Sequence, residues 1–335
     1  MVRRDLVVVG ASAGGVEALR TLVAELPPDL PAAVVVVLHM PSGGSSALPT
    51  ILSRSGPLRA FSALDGTPLQ HGRIHVAPPD HHVVVQDGVL RLSKGPTENG
   101  HRPAVNVLFR SAAAAHGPGV IGVILSGALD DGTAGMASIK SRGGLAVVQS
   151  PSDAVYSGMP ESVLHHVDVD HVLPVAKIGA LLAGLAAEPA DLAEVAPVSD
   201  VLRMEVDVSR DDAGAGFGDV RRVGSPTTFT CPDCAGSLVE IPGEGTRYRC
   251  LVGHGWTAEA LLDAYAGSLE RAMWTALRTL DEKVTLTRRM ATHSRDAGRE
   301  LVAERYVKQE EEAVAAAEVL RKYLLRGGVR EETGT

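Results

Sequence analysis

In the first half of the chain the apolar positions come in short unbroken runs. These are Leu6–Val9, Ala32–Leu38, Val120–Leu125 and Leu145–Val148. Runs that are apolar at every position, not at alternate ones, predict parallel strands buried on both faces. Between the runs, apolar residues recur at helical spacing, as at Val16, Leu19, Leu22 and Val23. Further helices are predicted over 45–54, Val105–His116 and Thr133–Arg142, from Gly158 onward, and over Ile178–Ala187. Arg73–Val76 reads as a short strand, and Val83–Leu92 as a β-hairpin turning at Asp87-Gly88. The alternation predicts an α/β fold, a doubly wound, mostly parallel sheet with an edge β-hairpin.

The pattern changes after Ala187. Residues 188–227 are dominated by Ala, Pro, Asp, Gly and Ser and read as a flexible linker, loosest at Asp211–Gly216. A short strand or helix is expected within it near Val201–Val208. Residues 228–265 place two short β runs, Ser237–Ile241 and Thr246–Arg249, among all three cysteines of the chain. Residues 266–326 read as two long helices, Ser268–Met290 and Arg299–Leu325, broken near His293–Gly298. Leu269, Met273, Leu277, Leu280 and Val284 share one face of the first, which predicts a helical hairpin or coiled coil. The last residues, 327–335, are polar and expected to fray.

Composition narrows the function. A length of 335 residues allows one large domain and a smaller one. The net charge of −8 gives no basic field for nucleic acid. No apolar run is long enough to span a bilayer, so membrane insertion is not expected. Met1-Val2-Arg3-Arg4 leads directly into a strand and lacks the features of a signal peptide, which makes the cytoplasm the expected compartment. Cysteines clustered between Cys231 and Cys250 point to metal rather than to disulfides.

Candidate chemistry gathers just past the carboxyl ends of the apolar runs. Gly10-Ala11-Ser12-Ala13-Gly14 has the G-x-S-x-G spacing of a nucleophile elbow, between a strand and a helix start. Two other readings compete: a phosphate-binding turn, which lacks the G-x-G-x-x-G or Walker pattern, and a serine that only caps the helix. His39 follows the second run, and Asp130-Asp131 follow the third. Each alone could be structural, a core histidine or a capping turn. Together they form the set that acyl transfer needs: nucleophile, base and orienting carboxylate.

Several ordered blocks make residues 3–187 resemble the catalytic domain of CheB-type protein-glutamate methylesterases. They are Gly10–Gly15, Leu38–Pro41, Ala77–His82, His101–Val105, Gly122–Gly127, Asp131–Met136 and Gly158–Pro160. The resemblance implies Ser12 as nucleophile, His39 as general base and acid, and Asp131 as the orienting carboxylate. Backbone N–H groups near Ala13 and Ala128 are the implied oxyanion donors. It also implies hydrolysis of glutamate γ-methyl esters, and in some members glutamine deamidation, on a chemotaxis-type receptor or signalling protein. No catalytic cofactor is implied. The family usually places a receiver domain ahead of the catalytic one. Here the elbow begins at Gly10, so receiver-controlled unblocking is not expected. Ala13 stands where the family has threonine, and Ala128-Leu129 where it has methionine-glycine. Rival readings are an esterase or amidase for another acyl group, or a regulatory scaffold that retains the fold for binding.

In the second half, Cys231 and Cys234 in C-x2-C and Cys250 and His254 in C-x3-H have the spacing of a zinc-ribbon-like site. Four protein ligands leave no open position, so the expected Zn²⁺ is structural. No dense basic stripe accompanies it, which favours protein contact or stability over nucleic acid. For the helical segment, self-association, partner docking and packing on its own zinc module all remain open.

Overall fold

The protein is described here from a computed structural model covering residues 3–41, 43–44, 46–190, 196–210, 217–243 and 246–325, with residues 217–219 as backbone only. Asp211–Gly216 and the tail at 327–335 lie outside the described residues.

The core is a seven-stranded sheet. Its members are β1 (Leu6–Ala11), β2 (Ala33–Leu38), β3 (Arg59–Ser62), β5 (Arg73–Val76), β8 (Val120–Ile124), β9 (Leu145–Gln149) and β10 (His171–Leu173). The order is β10-β9-β8-β1-β2-β5-β3, and every neighbouring pair is parallel. Val7, Val9 and Ala11 of β1 point into a core shared with α1 (Gly15–Ala24), α2 (Leu48–Ser55) and α6 (Val175–Ala187). Leu6 and Val8 point the other way, into a core shared with α3 (Val105–His116), α4 (Thr133–Ser141) and α5 (Gly158–His166). Helices cover both faces, so every position of a central strand is buried, which is why the apolar runs are unbroken. From β1 the chain goes to β2 on one side and later to β8 on the other. The crevice beyond the carboxyl ends of these strands is where open α/β sheets hold their ligands.

The hairpin forms as β6 (His82–Gln86) and β7 (Val89–Ser93). With β4 (Thr67–Pro68) it makes a three-stranded antiparallel sheet of its own.

The stretch expected to be a linker contains two helices, α7 (Asp200–Ser209) and α8 (Phe217–Val223). The Ser199 hydroxyl caps α7 by accepting from the Leu202 N–H. Leu202, Met204, Glu205, Val206 and Val208 are buried, so at least this part is packed. Next comes a four-stranded antiparallel sheet of β11 (Ser225–Thr230), β12 (Ser237–Ile241), β13 (Arg247–Cys250) and β14 (Gly255–Thr257).

By internal packing the chain divides into two units, Met1–Leu261 and Leu262–Thr335. The small sheet therefore belongs to the same unit as the large one. Helix α9 (Ala258–Asp296) starts ten residues earlier than the apolar stripe suggests, because Thr257 supplies its cap to the Ala260 N–H. The second unit is a helical hairpin of α9 and α10 (Glu300–Leu325), with Arg288 on Glu310 and Arg321 on Asp281. Buried Ala303, Ala313 and Ala317 let its helices approach closely.

Candidate active site and Cys/His cluster

Ser12, His39 and Asp131 stand just beyond β1, β2 and β8, and the fold brings them together. The Ser12 Oγ lies 3.1 Å from His39 Nδ1, and His39 Nε2 lies 2.7 Å from Asp131 Oδ2. With its proton on Nε2, donated to the carboxylate, the imidazole turns a free lone pair at Nδ1 to the serine hydroxyl. Ser12 does not cap α1: the N-cap is Gly14, at φ 71°. The elbow is held by Ser12 N–H donating to Ser126 O at 3.0 Å and Gly15 N–H donating to Ser12 O at 2.9 Å.

Asp131 is buried, with three donors arranged around it. Besides His39, its carboxylate accepts from the Val105 N–H at 2.7 Å and the Asn106 N–H at 3.1 Å, the first turn of α3. Burial opposes ionisation, but the hydrogen bond and charge of His39 and the Val105 N–H outweigh it and hold the Asp131 pKa below the usual carboxylate range. Asn106 returns the contact, its Oδ1 accepting from the N–H groups of Gly132 and Gly135. Asp130 turns away, its Oδ1 accepting from Thr257 Oγ1 at 2.8 Å. Burial pushes its pKa up to about 6, against the hydrogen bond from Thr257.

For the two expected oxyanion donors, neither the Ala13 nor the Ala128 N–H is taken by a backbone carbonyl among the described residues. Gly127, next to Ala128, packs close to the nucleophile: a Cβ there would stand 3.0 Å from the Ser12 Cβ. Leu129 takes φ 58°, a left-handed conformation that few residues other than glycine adopt.

Two histidines of the site were given no role from the sequence. His101 stacks on His39, with ring centroids 3.9 Å apart and planes at 14°. Burial, then the neighbouring His39, pushes its pKa down to about 4, so the ring is neutral at pH 7. His82 is fully buried, accepts from the Ala104 N–H and donates to Pro96 O, tying the His101 loop to the start of α3. Both histidines lie in blocks that carry the family resemblance, Ala77–His82 and His101–Val105, and Asn99-Gly100 adds a pair suited to a two-residue hairpin turn.

This geometry can be set beside known proteins. The family model for CheB methylesterase matches residues 7–182. The chain belongs to the CheB methylesterase family. Relatives named protein-glutamate methylesterase/protein-glutamine glutaminase include one from Methanosarcina mazei, 39% identical over 183 residues, which are 52% of this chain and 50% of that protein. One from Geobacillus kaustophilus is 39% identical over 191 residues, 56% of this chain and 55% of its own length. The chain thus spans about half the length of the curated relatives it matches. The crystal structure of the Thermotoga maritima CheB methylesterase catalytic domain is 36% identical, with a TM-score of 0.52. It covers 54% of this chain and 98% of that one. The CheB match ends before the small sheet, which contains a second cluster of functional side chains.

In that sheet the ligand atoms of Cys231, Cys234, Cys250 and His254 all lie within 4.8 Å of one another. Cys234 Sγ is 3.6 Å from Cys250 Sγ, and His254 Nδ1 is 3.5 Å from Cys250 Sγ and 3.8 Å from Cys231 Sγ. Tetrahedral Zn²⁺, with bonds of about 2.3 Å to sulfur and about 2.0–2.1 Å to nitrogen, sets its ligand atoms roughly 3.6–3.8 Å apart. The donor set fits such an ion.

The small sheet joins the large one through buried charges. Glu98 takes Arg110 of α3 and, at 2.7 Å, Arg249 of β13. Glu205 of α7 takes Arg247 at 2.7 Å and Arg249 at 3.3 Å. Burial disfavours both charged carboxylates, but the facing arginines outweigh it and hold their pKa values well below the usual range.

Proposed function

We propose that the protein is a serine esterase that hydrolyses glutamate γ-methyl esters on a chemotaxis-type receptor or signalling protein. The observation that carries this reading is the continuous hydrogen-bonded chain Ser12–His39–Asp131. Ser12 Oγ attacks the ester carbonyl while His39 Nδ1 takes its proton. The imidazolium is stabilised by the Asp131 carboxylate. The Ala13 and Ala128 N–H groups are the oxyanion donors; losing one such donor typically slows a reaction by roughly 100-fold or more. His39 then protonates the departing methoxide, giving methanol and an acyl-enzyme. Water, deprotonated by His39, releases glutamate and free Ser12. Ammonia replaces methanol if a glutamine is the substrate.

Residues 1–187 are the proposed catalytic domain. Residues 228–265 are a module closed by Zn²⁺ on Cys231, Cys234, Cys250 and His254, the ion supplying structure and no reaction step. Among the described residues no helix is long and apolar enough to cross a membrane, and we place the enzyme in the cytoplasm, facing the signalling end of its substrate. The helical hairpin exposes Trp274 and Leu286 and serves self-association.

The test is methanol release from a methylated receptor, with mass-spectrometric mapping of a fluorophosphonate adduct. Wild type should release methanol and carry the adduct on Ser12, and Ser12→Ala should do neither. Wild-type hydrolysis rates in Ser12→Ala would remove the nucleophile assignment.

A further inference from the structure

Residues flanking the four candidate metal ligands help to hold the His101 loop, beside the contacts of His82 and Arg102. Asp233, between Cys231 and Cys234, accepts from Thr97 Oγ1 at 2.6 Å. The turn between Cys250 and His254 is closed by Cys250 N–H on His254 O at 3.0 Å and Gly253 N–H on Cys250 O at 2.9 Å. Directly after it, Gly255 donates to Thr97 O at 3.1 Å and accepts from the Asn99 N–H at 2.8 Å. Thr257 N–H donates to Asn99 Oδ1 at 2.9 Å. The Trp256 ring lies over Gly100, where a Cβ would be 3.6 Å from its Cη2.

These contacts fix Asn99 and Gly100, which take φ 52° and 73°. A tight turn of two left-handed residues sets the direction in which the next residue leaves. That residue is His101, paired to Glu98 by hydrogen bonds of 2.8 and 3.2 Å and stacked on His39. Thr257 also reaches Asp130, next to Asp131 in sequence. One short segment of the small sheet therefore supports the His39–Asp131 pair from two sides.

We propose that the Cys231/Cys234/Cys250/His254 module is a positioning element of the esterase site. With its metal bound it holds the Thr97–His101 loop so that the His101 ring packs on His39 and keeps that imidazole aligned on Ser12. His101 is a positioning residue and carries no proton in the reaction. Loss of the metal loosens the loop and slows acylation of Ser12. The inference rests on the esterase and metal readings above.

The full chain is loaded with Zn²⁺, stripped with a chelator, and reloaded. Metal per chain, the rate of Ser12 labelling by a fluorophosphonate, and the ring-current shift of the His39 imidazole resonances are measured on each sample. Stripping is expected to slow labelling by about 10-fold or more, the scale at which small misplacements of reacting groups act. The His39 ring-current shift should disappear in parallel, and added Zn²⁺ should restore both. In loaded protein, His101→Ala should show the same loss, and His101→Phe, which keeps a flat ring without a titrating nitrogen, should recover most of the rate. Thr257→Val should keep its metal yet label several-fold more slowly. Equal labelling and an unchanged His39 shift in loaded and stripped protein would overturn the coupling alone. Failure of loaded wild type to label at Ser12 would overturn the esterase reading, and failure to retain Zn²⁺ would overturn the metal site, the coupling falling with either.

Discussion

Replacing Asp131 by asparagine isolates the electrostatic part of the site at constant shape. The carboxylate serves three donors, two on Oδ2 at 2.7 Å and one on Oδ1 at 3.1 Å. An amide has one oxygen, so one orientation sets its NH2 group against the Asn106 N–H. The other sets it against the Val105 N–H and drives the His39 proton from Nε2 to Nδ1. In that second orientation His39 presents a donor to Ser12 and cannot accept the hydroxyl proton, a defect worth about 10⁴ in kcat where a triad carboxylate has been neutralised. In the first orientation the tautomer survives, but the imidazolium loses its counter-charge. A unit charge at about 4 Å and an effective dielectric constant of about 20 contributes about 4 kcal/mol, or roughly 10³ in rate. Asp131→Asn should therefore slow acylation by about 10³- to 10⁴-fold. The donor left facing a donor should cost about 1–3 kcal/mol of stability. Fluorophosphonate labelling rates measure the first effect, imidazole ¹⁵N shifts report the tautomer, and urea unfolding measures the second. A variant within 10-fold of wild type would refute the argument that Asp131 aligns and stabilises His39.

Two further outcomes follow from the same geometry. Asp130 is held neutral more readily folded than unfolded, its pKa raised to about 6, so its contribution is fully present below pH 4 and is lost as pH rises through 6. Asp130→Asn should match wild type near pH 4 and exceed it by about 2.7 kcal/mol at pH 8 in urea unfolding, the worth of roughly two pKa units; equal stability at pH 8 would count against it. Gly10→Ala puts a Cβ 2.3 Å from Val105 Cγ1, pushing on the turn whose N–H groups hold Asp131. It should cost about 1–3 kcal/mol and slow Ser12 labelling, and a variant with wild-type melting and labelling would show that α3 yields without effect.

The central strands were legible because burial on both faces leaves only apolar residues along β1, β2 and β8. The positions of Ser12 and His39 followed from the same runs, since each stands one residue beyond a strand end, whereas Asp131 lies seven residues past β8 and was chosen over Asp130 through the family resemblance. Edge strand β3 was not legible, being short and mostly exposed in Arg59–Ser62. His101 was missed because its contact with His39 spans 62 positions and rests on a two-residue turn, a placement no local periodicity encodes. Within 188–227 the element expected near Val201–Val208 forms as α7, but its packing was not legible, for a related reason. Glu205 is buried because arginines 42 and 44 residues further on come to meet it, partners that no local pattern announces.

The Glu98–Arg110–Arg249–Glu205 lock bears on where this protein can be cut. The family-model match ends at residue 182, but the charges do not respect that boundary. A fragment ending there would leave Glu98 and Arg110 facing water without Arg249 and Glu205, next to the loop that carries His101. Transplanting the Cys/His sheet onto another catalytic domain meets the mirror-image problem, since Arg249 would arrive without a carboxylate to meet it. The segment matched by the family and the unit held together by these charges differ here, and an engineer who shortens or swaps this chain has to move Glu98 and Arg110 together with the sheet they grip.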